Sequence, residues 1–183
     1  AEPARLRRAE DLELLVNPPE RIHAIDVDEL YQQRVKPLHA SILAFLVRLR
    51  SDDAHARQAF QLRSAAQDLV EALKALKHLQ KNMVRYLASP NPYLRKEYVE
   101  LRRRLALLLS ALNKLCADPG ESALLTLDVL AAGQARQDIV ASGVLDQLIR
   151  EDRIDAETAT SLMNDNDYAN TMVRNLVDMA RGI

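Results

Sequence analysis

The sequence predicts an all-α fold, an antiparallel bundle of about five helices, and three observations carry that expectation. First, apolar side chains recur at alternating four- and three-residue steps in three long stretches. These are Tyr31, Val35, Leu38, Ile42, Phe45 and Leu49; then Leu62, Ala66, Leu69, Leu73, Leu76, Gln80, Met83 and Leu87; then Leu94, Tyr98, Leu101, Leu105, Leu108, Leu112 and Leu115. A mean step of about three and a half residues holds each set on one side of a helix, so the three seams are expected to bury one another as the core. Second, cap and breaker residues punctuate the stretches, Asn91-Pro92 being the sharpest, since Asn caps and Pro suits the first helical position. Third, no segment alternates with the two-residue period of a half-buried strand.

In chain order, residues 4–16 read as a short charged helix stopped by Asn17-Pro18-Pro19, so residues 1–27 form an N-terminal helix and Pro-rich linker ahead of a bundle domain at 28–183. The first long helix is expected from about Asp28 to Arg50, with a kink or fresh start near Val35 because Pro37 removes a backbone donor. Ser51-Asp52-Asp53 offers cap oxygens to a second helix over roughly Ala54 to Ala88. The third runs from Pro92 to just before Asp118-Pro119-Gly120, and the short turns make neighbours antiparallel. Glu121 to about Ser142 reads as helix, Gly143 as its end or bend, and Val144 to Arg150 as a short continuation. Asp155 caps a last helix with the seam Ala159, Leu162, Asn166, Ala169, Val173, Leu176 and Ala180, and Gly182 ends it.

Composition narrows the function classes. The chain has 183 residues, 28% charged and 48% hydrophobic, which suits a folded domain with a real core. Its net charge of −1 gives no global field for polyanions, so nucleic-acid binding is not expected. The longest uncharged run, Pro37 to Val47, is too short to cross a bilayer. The first residues, from Ala1 to Arg8, have neither an initiating methionine nor an apolar signal core and read as the start of an excised fragment. Cys116 is the single cysteine, so no intramolecular disulfide forms, and it reads as a small apolar residue beside Leu115.

Catalytic signatures are missing: there is no His-Glu-x-x-His helix, no Gly-x-Ser-x-Gly elbow and no phosphate loop. Four histidines, at 23, 39, 55 and 78, share no ligand spacing. The chain is therefore expected not to be an enzyme and to hold no cofactor or metal. Glu151 with Asp155, and Asp165 with Asp167, are the conceivable carboxylate pairs, but Asp155 is explained as a cap and Asp165 and Asp167 diverge by about 200° on a helix. What remains is a cationic row, Lys74, His78, Lys81 and Arg85 with Lys77 beside it, along one side of the second helix, opposite Leu73 and Leu76. Such a row suits an anion or an acidic partner, and it is also what the solvated face of an amphipathic helix looks like. Arg102-Arg103-Arg104 has the same two readings, with Glu97 and Glu100 near enough to neutralise it. Gln80 and Asn166 interrupt apolar seams, where an amide needs hydrogen-bond partners and fixes helix register.

Two strings go beyond generic helix: Lys77-His78-Leu79-Gln80-Lys81-Asn82-Met83-Val84-Arg85-Tyr86-Leu87 and Ala159-Thr160-Ser161-Leu162-Met163-Asn164-Asp165-Asn166-Asp167-Tyr168-Ala169. Together with Leu30-Tyr31 to Pro37-Leu38, Tyr98 to Leu101 and Leu145 to Arg150, they resemble the C-terminal cytosolic region of bacterial sodium/phosphate cotransporter family proteins, where a PhoU-like helical domain follows the membrane transporter. The resemblance covers roughly residues 28 to 180. It implies a cytosolic regulatory domain of a protein anchored in the bacterial inner membrane, with the transmembrane part of the same polypeptide, or a second copy, as partner. It also implies that an upstream bundle precedes this chain. PhoU-like domains often carry Glu/Asp-x-x-x-Asp metal motifs; here the pattern falls only at Glu151 to Asp155, on a loop and cap, so no metal is carried over. Two alternatives stay open: a stand-alone oligomerisation bundle and a metal-binding, phosphate-handling protein.

Overall fold

A computed structural model describes residues 25–48 and 53–182. The expected helix over 4–16, its linker to residue 24, Leu49 and the Ser51-Asp52 caps lie outside the described residues. The described chain is all helical: α1 (Val27–Leu30) runs through a π-helical turn (Tyr31–Val35) into α2 (Lys36–Arg48), followed by α3 (Asp53–Leu87), α4 (Pro92–Ala117), α5 (Glu121–Arg136), α6 (Val144–Arg150) and α7 (Ala156–Arg181). These helices pack together as a bundle.

Local chemistry sets most boundaries. Asp26 accepts the Glu29 N–H at 2.8 Å and starts α1. Asn91 accepts the N–H groups of Tyr93 and Leu94 at 3.0 and 3.2 Å, with Pro92 at the first helical position, so α4 begins where the sequence places it. Asp155 caps α7 through the Thr158 N–H at 2.7 Å. Near Pro37 the helix continues instead of restarting. The Lys36 N–H bonds to the Tyr31 carbonyl, and this wide turn sits immediately before the ring that removes a donor.

One boundary departs from expectation. Helix α5 ends at Arg136, six residues short of Ser142, because the Asp138 side chain takes over the backbone donors of Val140 and Ala141, each at 3.0 Å. A side chain that satisfies local N–H groups competes with helix propagation. Gly143, at φ 76°, then makes the left-handed turn into α6, a conformation that glycine adopts without Cβ strain.

The core is built by α3, α4 and α7, with α5 and α6 closing it. Leu94, Tyr98, Leu101, Leu105, Leu108 and Leu112 of α4 are buried as the seam requires. So are Ala159, Leu162, Asn166, Ala169, Val173 and Leu176 of α7. Two seams are corrected. The first, expected in the shared core, lies outside it: α2 buries no residue, and Leu38 and Phe45 are 53% and 57% exposed. On α3 the buried residues are Ala65, Val70, Ala72, Ala75, Leu79, Tyr86 and Leu87, so of the expected seam only Leu87 is buried, whereas Leu69, Leu73, Leu76 and Met83 are half-buried. The reason is that α3 has neighbours on two sides, so the single heptad stripe falls between the face packed on α7 and the flank packed on α1 and α2. Cys116 is exposed rather than tucked beside Leu115.

Candidate functional site

Three sides of α3 follow from about 100° per residue. Ala72, Ala75, Leu79 and Tyr86 take one side and face the core. A second side, through Leu73, Leu76 and Gln80, meets α1 and the residues just before it: Gln80 Nε2 donates to the Ile25 carbonyl at 2.9 Å, and Lys77 Nζ pairs with Asp28 Oδ1 at 2.7 Å. The third side carries Lys74, His78, Lys81 and Arg85, all exposed. The fold therefore brings the expected row together on one open face, and it draws Lys77 away to pair with Asp28 of α1.

The four members are not equivalent. Lys74 Nζ pairs with Glu71 Oε1 at 2.8 Å, and that hydrogen bond with its attendant charge raises the ammonium above its ordinary range. The His78 ring stacks on Tyr168 of α7, with centroids 4.9 Å apart and planes 14° from parallel, which fixes the imidazole's orientation. Arg85 lies over the Tyr86 ring, its guanidinium carbon 5.1 Å from the centroid. Lys81 makes no ion pair among the described residues. Beyond Arg85 the face opens into a cleft of about 580 Å³ lined by Tyr86, Asn91, Arg153, Asp155 and Thr158. Its far wall is held in place because Asn91 Nδ2 donates to the Arg153 carbonyl at 2.7 Å and the Arg153 guanidinium sits over Tyr93 at 4.5 Å. Chemically this face offers ammonium, imidazole and guanidinium donors to carboxylates or phosphates.

The other candidates resolve differently. Glu151 bonds to Gln147 and Arg153 on the surface, while Asp155 is occupied as a cap whose bond from the Thr158 N–H holds its carboxyl below the usual range. Those two carboxylates do not converge. Arg103 pairs with Glu100 at 2.7 Å, and Arg104 is half-buried, its Nη1 donating to the Gln137 carbonyl at 3.0 Å and its affinity for a proton lowered by burial. Arg104 is thus tied to the end of α5, while the Arg103 pair lies within α4. Among the described residues no three His, Cys, Asp or Glu side chains cluster in a way that would hold a metal ion.

Asp165 and Asp167 part company, Asp167 pointing to solvent and Asp165 being wholly buried. Asp165 accepts from the Tyr98 hydroxyl of α4 and, at 3.3 Å, from Asn82 Nδ2 of α3. Burial pushes its carboxyl upward, against the two hydrogen bonds; burial and then the Asp165 bond push the Tyr98 phenol upward as well. A second polar group centres on Asp138, whose Oδ2 accepts from Asn166 at 2.5 Å and Asn170 at 2.8 Å. The Ala141 N–H is the largest influence holding that carboxyl below its ordinary range. Of the two expected register amides, Gln80 donates to the Ile25 carbonyl and Asn166 donates to Asp138, while the Asn166 Oδ1 is buried without a hydrogen bond. The sequence pattern does not show the Tyr98–Asp165 link: Tyr98 falls on the α4 seam, but Asp165 lies beside the α7 seam residue Asn166, and only the packing of α4 on α7 brings the two together. No protein-family model, curated protein or solved structure matches this chain.

Proposed function

We propose that this chain is a docking domain that regulates a sodium-dependent phosphate transporter, meeting an acidic surface of the membrane part or of a second copy through Lys74, His78, Lys81 and Arg85. The observation that carries the reading is that all four side chains lie on the open side of α3, opposite its two packed sides. The resemblance of the Lys77–Leu87 and Ala159–Ala169 strings supports the phosphate-transport part. Two row members are oriented by aromatic rings, which lowers the entropy lost when a partner binds. Regulation then works through differential affinity: the domain favours whichever transporter conformation presents the better acidic surface. No step of covalent chemistry is required.

The test is charge reversal on this face. Lys81→Glu with Arg85→Glu is expected to leave folding intact, since both positions are exposed, and to change phosphate transport by the intact protein at matched abundance. The parent effect should weaken as salt rises, because an exposed contact is screened. Unchanged transport in the double variant would return the row to a solvated helix face. An intact reading frame without membrane helices ahead of Ala1 would remove the transporter from the proposal.

A further inference from the structure

Helix α2 and the π-helical turn before it carry two lines of side chains, and one of them is exposed along its whole length. Val35, His39, Ile42 and Leu46 are buried or half-buried beside α3. The other line, Arg34, Leu38, Ser41, Phe45 and Arg48, advances in steps of four and three and is exposed at every position. That spacing is how one helix receives another along its length. Ser41, at the midpoint, donates its hydroxyl to the Pro37 carbonyl at 2.9 Å, so the middle of the line is small and already satisfied. Pro37 and Ala44, also exposed, extend the apolar surface on the side away from α3, whereas the exposed Leu43 and Val47 lie across the helix from Phe45.

Charge selects the occupant. Between Leu30 and Ser51 the sequence contains no Asp or Glu, and the apolar pair is bracketed by Arg34 and Arg48, about 21 Å apart along the helix. A second copy laid along this line, parallel or antiparallel about Ser41, sets guanidinium against guanidinium at both ends with no carboxylate on α2 to offset it. An anionic bilayer would also meet the acids that flank the stretch, Asp26, Asp28 and Glu29 before it and Asp52 and Asp53 after it. A single helix carries its charge only where the arginines stand. We infer that the line Leu38, Ser41 and Phe45 receives an acidic amphipathic helix of another polypeptide, with apolar side chains on Leu38 and Phe45 and a carboxylate at each of Arg34 and Arg48. This surface lies on a different helix from the cationic row of α3, and its test leaves that row unaltered.

The probe is a synthetic three-heptad peptide with leucine at the seam positions and glutamate at the flanks, set against a twin carrying lysine at the flanks. Like charge keeps each peptide from pairing with itself. Fluorescence anisotropy with the full chain should show the glutamate peptide binding about tenfold tighter than the lysine twin. Phe45→Glu should weaken binding by about tenfold or more, and Arg34→Glu with Arg48→Glu should invert the peptide preference. All three positions are exposed, so circular-dichroism melts of these variants should match the parent. Equal binding of both peptides, or binding of neither, overturns the inference. So does a parent chain that sediments as a dimer and becomes monomeric on Phe45→Glu, which would make the occupant a second copy. Flotation of the parent with phosphatidylglycerol vesicles, lost on Phe45→Glu while neither peptide binds, would give the surface to lipid.

Discussion

Asp165, on α7, and Asp138, which accepts bonds from Asn166 and Asn170 of the same helix, respond to pH in opposite directions. Asp165 is wholly buried, and its pKa is raised in the folded state by loss of hydration. Its contribution is full below the ordinary carboxylate range and is lost as pH rises through the raised folded value. The groups acting there are the Tyr98 hydroxyl from α4 and Asn82 from α3, with Tyr86 and Arg85 bearing on Tyr98. Asp165→Asn should therefore gain stability relative to the parent as pH climbs, and denaturant melts from mildly acid to alkaline pH would detect it; parallel curves would mean that the carboxylate is not penalised by burial. Tyr98→Phe should cost about 1–3 kcal/mol at neutral pH, since it leaves a buried acceptor with one donor fewer. Asp138 has the reverse sign. Its pKa is depressed, so its contribution is present above the ordinary carboxylate range and is lost as pH falls through the lowered value.

Helix α3 shows how a helix with two packed sides differs from the single stripe its heptads suggest. Leu79 is 1% exposed in the core, while Leu73 is half-buried on the flank towards α1 and α2. Leu79→Ala and Leu105→Ala should each cost about 2–5 kcal/mol, and Leu73→Ala distinctly less, because the neighbours of a half-buried side chain and water can fill part of the space. Equal losses at Leu73 and Leu79 in urea melts would contradict this division. The core side of α3 is also rich in alanine, at 65, 72 and 75, and α7 answers with the buried Ala169. Small side chains let two backbones approach, which is why Gly182 at the end of α7 comes within 3.4 Å of the Ala65 Cβ when a Cβ is placed on it.

Across the molecule, burial is uneven, and stability should be uneven with it. The core draws on α3, α4, α5, α6 and α7, while α2 contributes no buried residue and leaves most of its apolar side chains in contact with solvent. Native-state hydrogen exchange should find α2 amides opening far more readily than those of α4 and α7, because few apolar contacts are lost when α2 detaches. Similar protection in α2 and α4 would show that α2 is held by more than its contact with α3. An acidic helix bound along Leu38 and Phe45 should raise α2 protection selectively.

Helix class, caps and most boundaries were legible because they depend on neighbours in sequence: Asn91 reaches Tyr93 and Leu94, Asp155 reaches Thr158, and Pro92 carries its own φ. The α4 and α7 seams were legible for the same reason, since each helix has one dominant core face. The cationic row could be read as a face but not as four unequal members, because Glu71, Tyr86 and Tyr168 distinguish them and Tyr168 arrives from α7. Periodicity assigns residues to a side of a helix without saying what stands opposite it. The heptads of α2 and α3 thus established that these segments are helical, but the three-dimensional packing sent Ala72, Ala75 and Leu79 inward, left Leu38 and Phe45 in solvent, and buried Asp165 against Tyr98 while Asp167 stayed outside. Burial depends on contacts between residues far apart in the chain, whereas helix formation and capping depend on bonds that span only a few residues.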